Sequence, residues 1–238
     1  THGNQTVVQA IENSCNYYFY EVGRRMGIDT LAEYGKKFGL GEYTGIELSG
    51  ESKGIFASRA YRDKINSIWY PGDTLQASIG QSDHLFTPIQ LANYVATLAN
   101  GGTRYKAHFI KSIKSYDYSE TIYEAEPVVL NTVNASRENF AAVRTGMISM
   151  ANSLAAFRGV DYKVATKTGT AQAKKKVNGV TVAYTNGFMI SYAPADNPQI
   201  AVVIAIENVD SGGLGNYVRE VYEAYFYRVI VSAQMSGV

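Results

Sequence analysis

The chain has 238 residues, 46% of them hydrophobic, and a formal net charge of +1. That is enough apolar material for a sizeable core in one domain, or in one domain of two lobes. The near-neutral charge removes any global electrostatic case for nucleic acid or an anionic membrane surface as the partner.

Residues 5–27 read as helical. Val7, Val8, Ile11 and Cys15 fall at helical spacing, and Tyr18, Phe19 and Val22 form a second stripe. Between the stripes, Asn13-Ser14-Cys15-Asn16 predicts a break, because short polar side chains compete for backbone hydrogen bonds. A second helix is expected from Ile28, with Asp29 as N-cap and Gly39 or Gly41 as stop. Residues 41–72 have turns and little periodicity and read as an irregular excursion. The clearest helix follows: Thr87 caps it, Pro88 takes the first position, Gln90 completes a capping box, and Asn100-Gly101-Gly102 ends it. Residues 108–130 alternate enough for a small hairpin, and Ser136 caps a further helix.

The pattern then changes. Residues 162–172 and 182–194 read as strands around a basic turn containing Asn178-Gly179, with Lys174, Lys175 and Lys176 at a solvated hairpin tip. Residues 199–209 form a third strand, apolar on both faces and therefore interior. It is expected to need a neighbour supplied from upstream, since it would otherwise be an open hydrophobic edge. Residues 216–233 close the chain as an amphipathic helix. The fold class is α/β of the α+β type, an antiparallel sheet flanked by helices. A mainly helical lobe runs to about residue 105; a hairpin, a helix, a three-strand sheet portion and the last helix fill about 106–238.

A single cysteine excludes an internal disulfide, and His2, His84 and His108 lack metal-ligand spacing, so no metal is expected. The longest apolar run, Ile200 to Ile206, is too short to cross a bilayer. The chain opens on Thr1 without a methionine, which reads as a cut point in a longer protein.

The chemistry-bearing stretch is Lys167-Thr168-Gly169-Thr170. In a strand the two threonines share a face and Lys167 points the other way. On an edge, two hydroxyls and a free N–H bind an extended peptide or a carboxylate, and Gly169 removes the side chain that would block close approach. By itself the stretch is a weak signal, since exposed polar strands are the commoner case. Ser14-Cys15-Asn16, taken singly, reads as a helix interruption.

In order along the chain, Ser14-x-Asn16, the segment GDTLQASIGQSDHLFTPIQLANYVATLANGG and KTGTAQ resemble the penicillin-binding transpeptidases, and specifically the class B, elongation-type enzymes. The resemblance spans nearly the whole chain. It implies the penicillin-binding/serine β-lactamase-like fold and a peptidoglycan D,D-transpeptidase that works through a serine acyl-enzyme, is inhibited by β-lactams and needs no cofactor. It also implies roles. Ser14 would relay a proton to the leaving amine, Asn16 would hold the substrate amide, and Lys167 would bias Ser14. Thr168, Gly169 and Thr170 would form the substrate-binding edge, with the Thr170 N–H as half of the oxyanion hole. The family's nucleophile is the serine of Ser-x-x-Lys. No lysine here has a serine three residues before it, so the nucleophile is expected upstream of Thr1 and the 238 residues alone are expected to be inactive. Implied partners are peptidoglycan stem peptides, β-lactams, the upstream segment and other cell-wall synthesis proteins, with no nucleic acid. The implied location is the extracytoplasmic side of the bacterial cytoplasmic membrane, anchored by an N-terminal helix outside this chain. A β-lactam sensor, a non-catalytic peptidoglycan-binding module, and a β-lactamase or carboxypeptidase of the same fold are the rival readings. Gly80-Gln81 and Thr87-Pro88 read as shaping a helix start, His84 as a loop residue, Cys15 as pointing away from the site, and Ser211 to Asn216 as a flexible approach to the last helix.

Overall fold

Asn178 and Gly179 occupy the left-handed region, with φ of 50° and 81°, the geometry that matches a two-residue turn to the twist of its flanking strands. The turn joins β5 (Ala165–Val177) to β6 (Val180–Ala193). Both strands are longer than the sequence suggested. The three lysines lie within β5, paired as Lys174↔Ala183, Lys175↔Val182 and Lys176↔Thr181, rather than at the tip. A two-residue turn needs only Asn-Gly, so the ladder continues up to it. The structure is a computed structural model that describes residues 2–236, with side chains for residues 2–227.

Strand β7 (Ile200–Ile206) pairs antiparallel with β6, giving the order β5-β6-β7 with β5 at an edge. The period of two along β6 divides the core. Met189 and Ala193 face a cluster with Val202, Phe157 and residues Leu214, Val218 and Tyr222 of the C-terminal helix α8 (Leu214–Ser236). Tyr192 faces the other way, towards Ile11, Val95, Leu98 and Met147. Strand β7 contributes Val202 and Ile204 to the first cluster and Ala201 and Val203 to the second, so both its faces are covered; among the described residues it pairs with β6 alone and stands at the other edge of the sheet, not in its interior. The buried Ser191 is satisfied: Tyr222 Oη donates to Ser191 Oγ at 2.6 Å, and Ser191 Oγ donates to the Ala165 carbonyl at 3.1 Å.

The second cluster is roofed by three helices, α1 (Val7–Glu12), α6 (Pro88–Ala99) and α7 (Arg137–Ser153). A smaller core of Ile28, Ala57 and Ala77, with Leu31 and Trp69 against it, joins α3 (Ile28–Lys37) to α5 (Pro71–Ser78); α2 (Asn16–Met26) packs on α5 where Gly23 meets Ser78, and α4 (Arg59–Lys64) is tied in by Arg62 over the Trp69 ring. Two expectations are corrected here. Helix α3 is capped by Gly27, not Asp29; Asp29 sits in the first turn, where its charge meets the positive end of the helix. The excursion of residues 41–72 contains α4, capped by Ser58, whose hydroxyl accepts from the Tyr61 N–H at 3.2 Å. Beyond the expected hairpin, β2 (Ser112–Lys114) with β3 (Thr121–Glu124), β1 (Thr103–Tyr105) pairs with β4 (Val129–Thr132).

Helix α6 starts as its sequence predicts. Gln90 Oε1 accepts from the Thr87 N–H at 2.9 Å, and Thr87 Oγ1 accepts from the Gln90 N–H at 3.3 Å. Gln90 does more than cap. Fully buried, it also donates to the carbonyls of Glu42 at 2.8 Å and Lys53 at 2.7 Å, tying the excursion to the helix.

Candidate active site

Ser14 owes its position to how α1 ends. Asn13 is the C-cap, and Ser14 follows in the left-handed conformation with φ of 49°. The Cys15 N–H bonds to the Ala10 carbonyl at 2.9 Å and the Ser14 N–H to the Ile11 carbonyl at 3.2 Å. This is the Schellman pattern, in which the left-handed position is usually glycine. A serine there costs about 1 kcal/mol or more in backbone strain, and the residue kept at that cost carries a hydroxyl into a cleft. Cys15 occupies the next position, where the motif calls for an apolar residue, and it is buried together with Ala10. It does not line the cleft, in line with its expected orientation. Asn16 opens α2 and does line it.

The opposite wall is the free edge of β5. Lys167 donates to the Thr168 carbonyl at 2.7 Å, and Gln81 Nε2 approaches the Thr170 carbonyl at 3.4 Å. Both carbonyls therefore face away from β6. In an antiparallel pair a residue directs its N–H and C=O to the same side, so the Thr170 N–H also faces the open edge. An added Cβ at Gly169 would meet only Phe188 Cβ, at 3.8 Å. Nothing among the described residues demands glycine there, and the space beside it belongs to the cleft.

The two walls meet through one contact. Lys167 Nζ donates to Ser14 Oγ at 2.6 Å. Strand alternation had turned Lys167 away from the threonines. Instead all four residues of the Lys-Thr-Gly-Thr stretch line one cleft of about 730 Å³, because the long lysine stem carries its ammonium to the Thr168 carbonyl and Ser14. Burial pushes the Lys167 pKa down to about 8, so the ammonium keeps its charge at neutral pH but holds its proton less tightly than a free lysine. It is the one charged side chain lining the cleft among the described residues. The arrangement can therefore favour a negative group and polarise a serine hydroxyl.

Residues 1–230 match the family model described as the penicillin binding protein transpeptidase domain. The chain belongs to that family. It is similar to the peptidoglycan D,D-transpeptidase MrdA of Acinetobacter baumannii, 33% identical over 224 residues that cover 89% of this chain and 33% of that protein. Among solved structures, PBP2 of Pseudomonas aeruginosa matches with a TM-score of 0.75 and 32% identity, over 92% of this chain and 48% of that one. PBP2 of Helicobacter pylori, solved in a complex with MreC, matches with a TM-score of 0.78 and 28% identity, over 94% of this chain and 41% of that one. These relatives bear out the class B, elongation-type affiliation and the penicillin-binding fold. The chain spans about a third of the length of the curated relative quoted.

Three residues of this transpeptidase domain near the cleft were read too plainly from sequence. Gln81 lines the cleft opposite Thr170 instead of only shaping a helix start. His84 is a clasp. Its Nδ1 accepts from the Ala57 N–H at 3.1 Å, so its proton is on Nε2, which bonds the Ala77 carbonyl at 3.1 Å. The loop between them is fixed by Asp83, an ion-pair partner of Arg62, which also reaches Asp73 at 3.3 Å. Ser211 lines the cleft and bonds Thr170. No local pattern marks it, since its partner lies 41 residues away.

Proposed function

We propose that this domain is the C-terminal part of a peptidoglycan D,D-transpeptidase that cross-links stem peptides through a serine acyl-enzyme and is stalled at that stage by β-lactams. The observation that carries the reading is the 2.6 Å bond from Lys167 to Ser14, which joins residues 153 positions apart across one cleft. The attacking serine, with the lysine of Ser-x-x-Lys, comes from a segment N-terminal to Thr1. Three observations support that. The chain spans about a third of its quoted relative's length. None of its lysines follows a serine by three. The cleft floor of Val7, Ile11, Tyr94, Leu98, Val143 and Met147 offers apolar surface on which a helix can lie.

The serine attacks the penultimate D-alanine carbonyl. Lys167 already donates to a lone pair of Ser14, so Ser14 can pass its own proton to the departing D-alanine amine while the proton lost by the attacking serine, handed on by the lysine of Ser-x-x-Lys, replaces it. Asn16 holds the substrate amide. The Thr170 N–H, on the open strand edge, faces the developing oxyanion. The edge from Thr168 to Thr170 binds the peptide's terminal carboxylate beside the Lys167 charge. An amine from a neighbouring stem peptide then takes the acyl group, forming an amide and freeing the serine. The same N-terminal segment carries the membrane anchor, which sets the domain on the extracytoplasmic side, where peptidoglycan is built. Other cell-wall synthesis proteins are its partners, a reading supported by the PBP2–MreC complex of Helicobacter pylori.

The test uses the full-length protein with a labelled penicillin, and separately with an acyl-D-Ala-D-Ala peptide plus an amine acceptor. One adduct per chain on a serine outside residues 1–238, D-alanine release and a new amide product are expected. No adduct, or an adduct inside these residues, overturns the reading. Acylation without transfer favours a sensor, and rapid hydrolysis of the penicillin a β-lactamase.

A further inference from the structure

The hydroxyl of Thr170 is already engaged. It donates to Ser211 Oγ at 3.0 Å and accepts the Ser211 backbone N–H at 3.3 Å. A threonine hydroxyl has one proton, and here that proton is directed to Ser211. The Ser211 Oγ accepts it and keeps its own proton, and Ser211 lines the cleft beside Thr168 and Thr170. Of the two hydroxyls in this pair, therefore, the one with a proton to give to the cleft is Ser211. A hydroxyl that accepts one hydrogen bond becomes a better donor of the next.

The contact is built into the fold. Thr170 pairs across the ladder with Gly187. A Cβ at Gly187 would collide with the Asp210 carbonyl oxygen, so the absent side chain is what lets the loop before α8 settle onto β6 beside Thr170. Two further bonds hold that loop: Asp210 Oδ1 accepts the Gly212 N–H at 2.7 Å, and Asn186 Oδ1 accepts the Asn208 N–H at 3.3 Å. The cleft's one charge among its described lining residues is the Lys167 ammonium, so the group that suits this end is an anion with acceptor oxygens.

We propose that Ser211 is a substrate-binding residue that donates to the terminal carboxylate of the peptide, with Thr170 behind it as the positioning hydroxyl that polarises and aims it. This rests on the transpeptidase reading above and adds a residue to its specificity. A carboxylate accepts from Ser211 and answers the lysine charge; a carboxamide terminus has the acceptor but not the charge, so the hydroxyl–anion bond is the discriminating one.

The experiment measures, in the full-length protein, the ratio of kcat/KM for D-alanine release from a peptide ending in D-Ala-D-Ala carboxylate to kcat/KM for release of D-alaninamide from the same peptide ending in carboxamide. Ser211→Ala should lower that ratio roughly tenfold, the scale of a lost charge-assisted hydrogen bond, with little change in melting temperature. Ser211→Thr keeps the hydroxyl and should keep the ratio. The double variant Ser211→Ala with Thr170→Val should be little worse than Ser211→Ala alone, because the two hydroxyls act in series. An unchanged ratio in Ser211→Ala, or an equal fall for both substrates as from general loosening, overturns the proposal. So does a fall in the double variant that equals the product of the two single effects. A parent ratio near one would instead overturn carboxylate recognition itself, and with it the reading on which the proposal stands.

Discussion

The two walls of the cleft are held by different physics. The β5 edge that carries Lys167 to Thr170 is laddered to β6 along its whole length, and the sheet behind it is buried on both faces by apolar clusters. The facing wall has little of this. Ser14 stands at the end of a six-residue helix in a strained turn. The segment with Gln81 hangs on the Arg62–Asp83 and Arg62–Asp73 pairs and on the His84 clasp. Strength thus lies on the side that, in the proposed function, binds an extended peptide through its backbone. The side that has to aim one hydroxyl relies on local backbone geometry and polar contacts, which fix direction with little buried area.

The sharpest break would come from the strand wall. Met189 is fully buried and stands opposite Thr168 in the register. In the full-length protein, Met189→Ala should cost about 2–5 kcal/mol in chemical denaturation, as large-to-small core changes do. A loss under about 1 kcal/mol would mean that apolar burial is not what holds this wall.

On the other wall, stability and activity should move in opposite directions. Ser14→Gly relieves the left-handed strain and should raise stability by up to about 1 kcal/mol. It should also slow acylation by a labelled penicillin about a hundredfold, the usual scale of a lost proton relay. Ser14→Ala should show the same slowing without the gain. A glycine variant no more stable than the parent removes the strain argument.

The link between the walls should show in pH. Burial holds the Lys167 pKa at about 8, below its ordinary 10.5. Between those two values the unfolded chain binds more protons at this lysine than the folded one, so its contribution to stability rises with pH across that window and is flat below it. Acylation should fall above pH 8 as the charge is lost. Lys167→Met should remove the stability slope, and Lys167→Arg, which stays charged, should remove the alkaline fall in rate. An alkaline fall that survives in the arginine variant assigns the titration to another group.

A smaller effect of the same kind is expected at His84, whose pKa burial lowers from its ordinary 6.5. Below 6.5 the unfolded chain takes up the proton first, so stability drops as the solution is acidified through the folded value. His84→Gln, which retains an acceptor and a donor, should flatten this acid dependence in melting experiments. The smallest change in stability should come from Gly169→Ala, within about 0.5 kcal/mol, since its Cβ would touch only Phe188. Substrate affinity should nevertheless weaken, because the methyl enters the cleft. A large loss of stability would mean that this glycine serves the fold.

What was legible in the sequence was local. The capping box of Thr87 and Gln90, the Asn178-Gly179 turn and the continuous apolar run of β7 each depend on residues within a few positions of one another. Helix α4 and the true cap of α3 were missed because six residues give too little periodicity to register and because a glycine cap has no side chain to announce it. The site residues were named from the resemblance, and the fold brings Ser14, Asn16 and Lys167 to Thr170 around one cleft.

The sequence by itself determined most of the elements, because turn chemistry, capping and side-chain period are short-range constraints, and it carried the motifs whose resemblance named the family and the residue types at the site. Only the tertiary structure decided that Lys167 turns towards Ser14, that His84 is a clasp rather than a loop residue, that Gln90 clasps as well as caps, and that Ser211 stands against Thr170. Each of these is a bond between residues that are distant along the chain, with partners 153, 27, 48 and 41 positions away. Which hydroxyl meets which acceptor across such a separation is settled when the sheet and helices bury their apolar faces, and no local pattern carries that information.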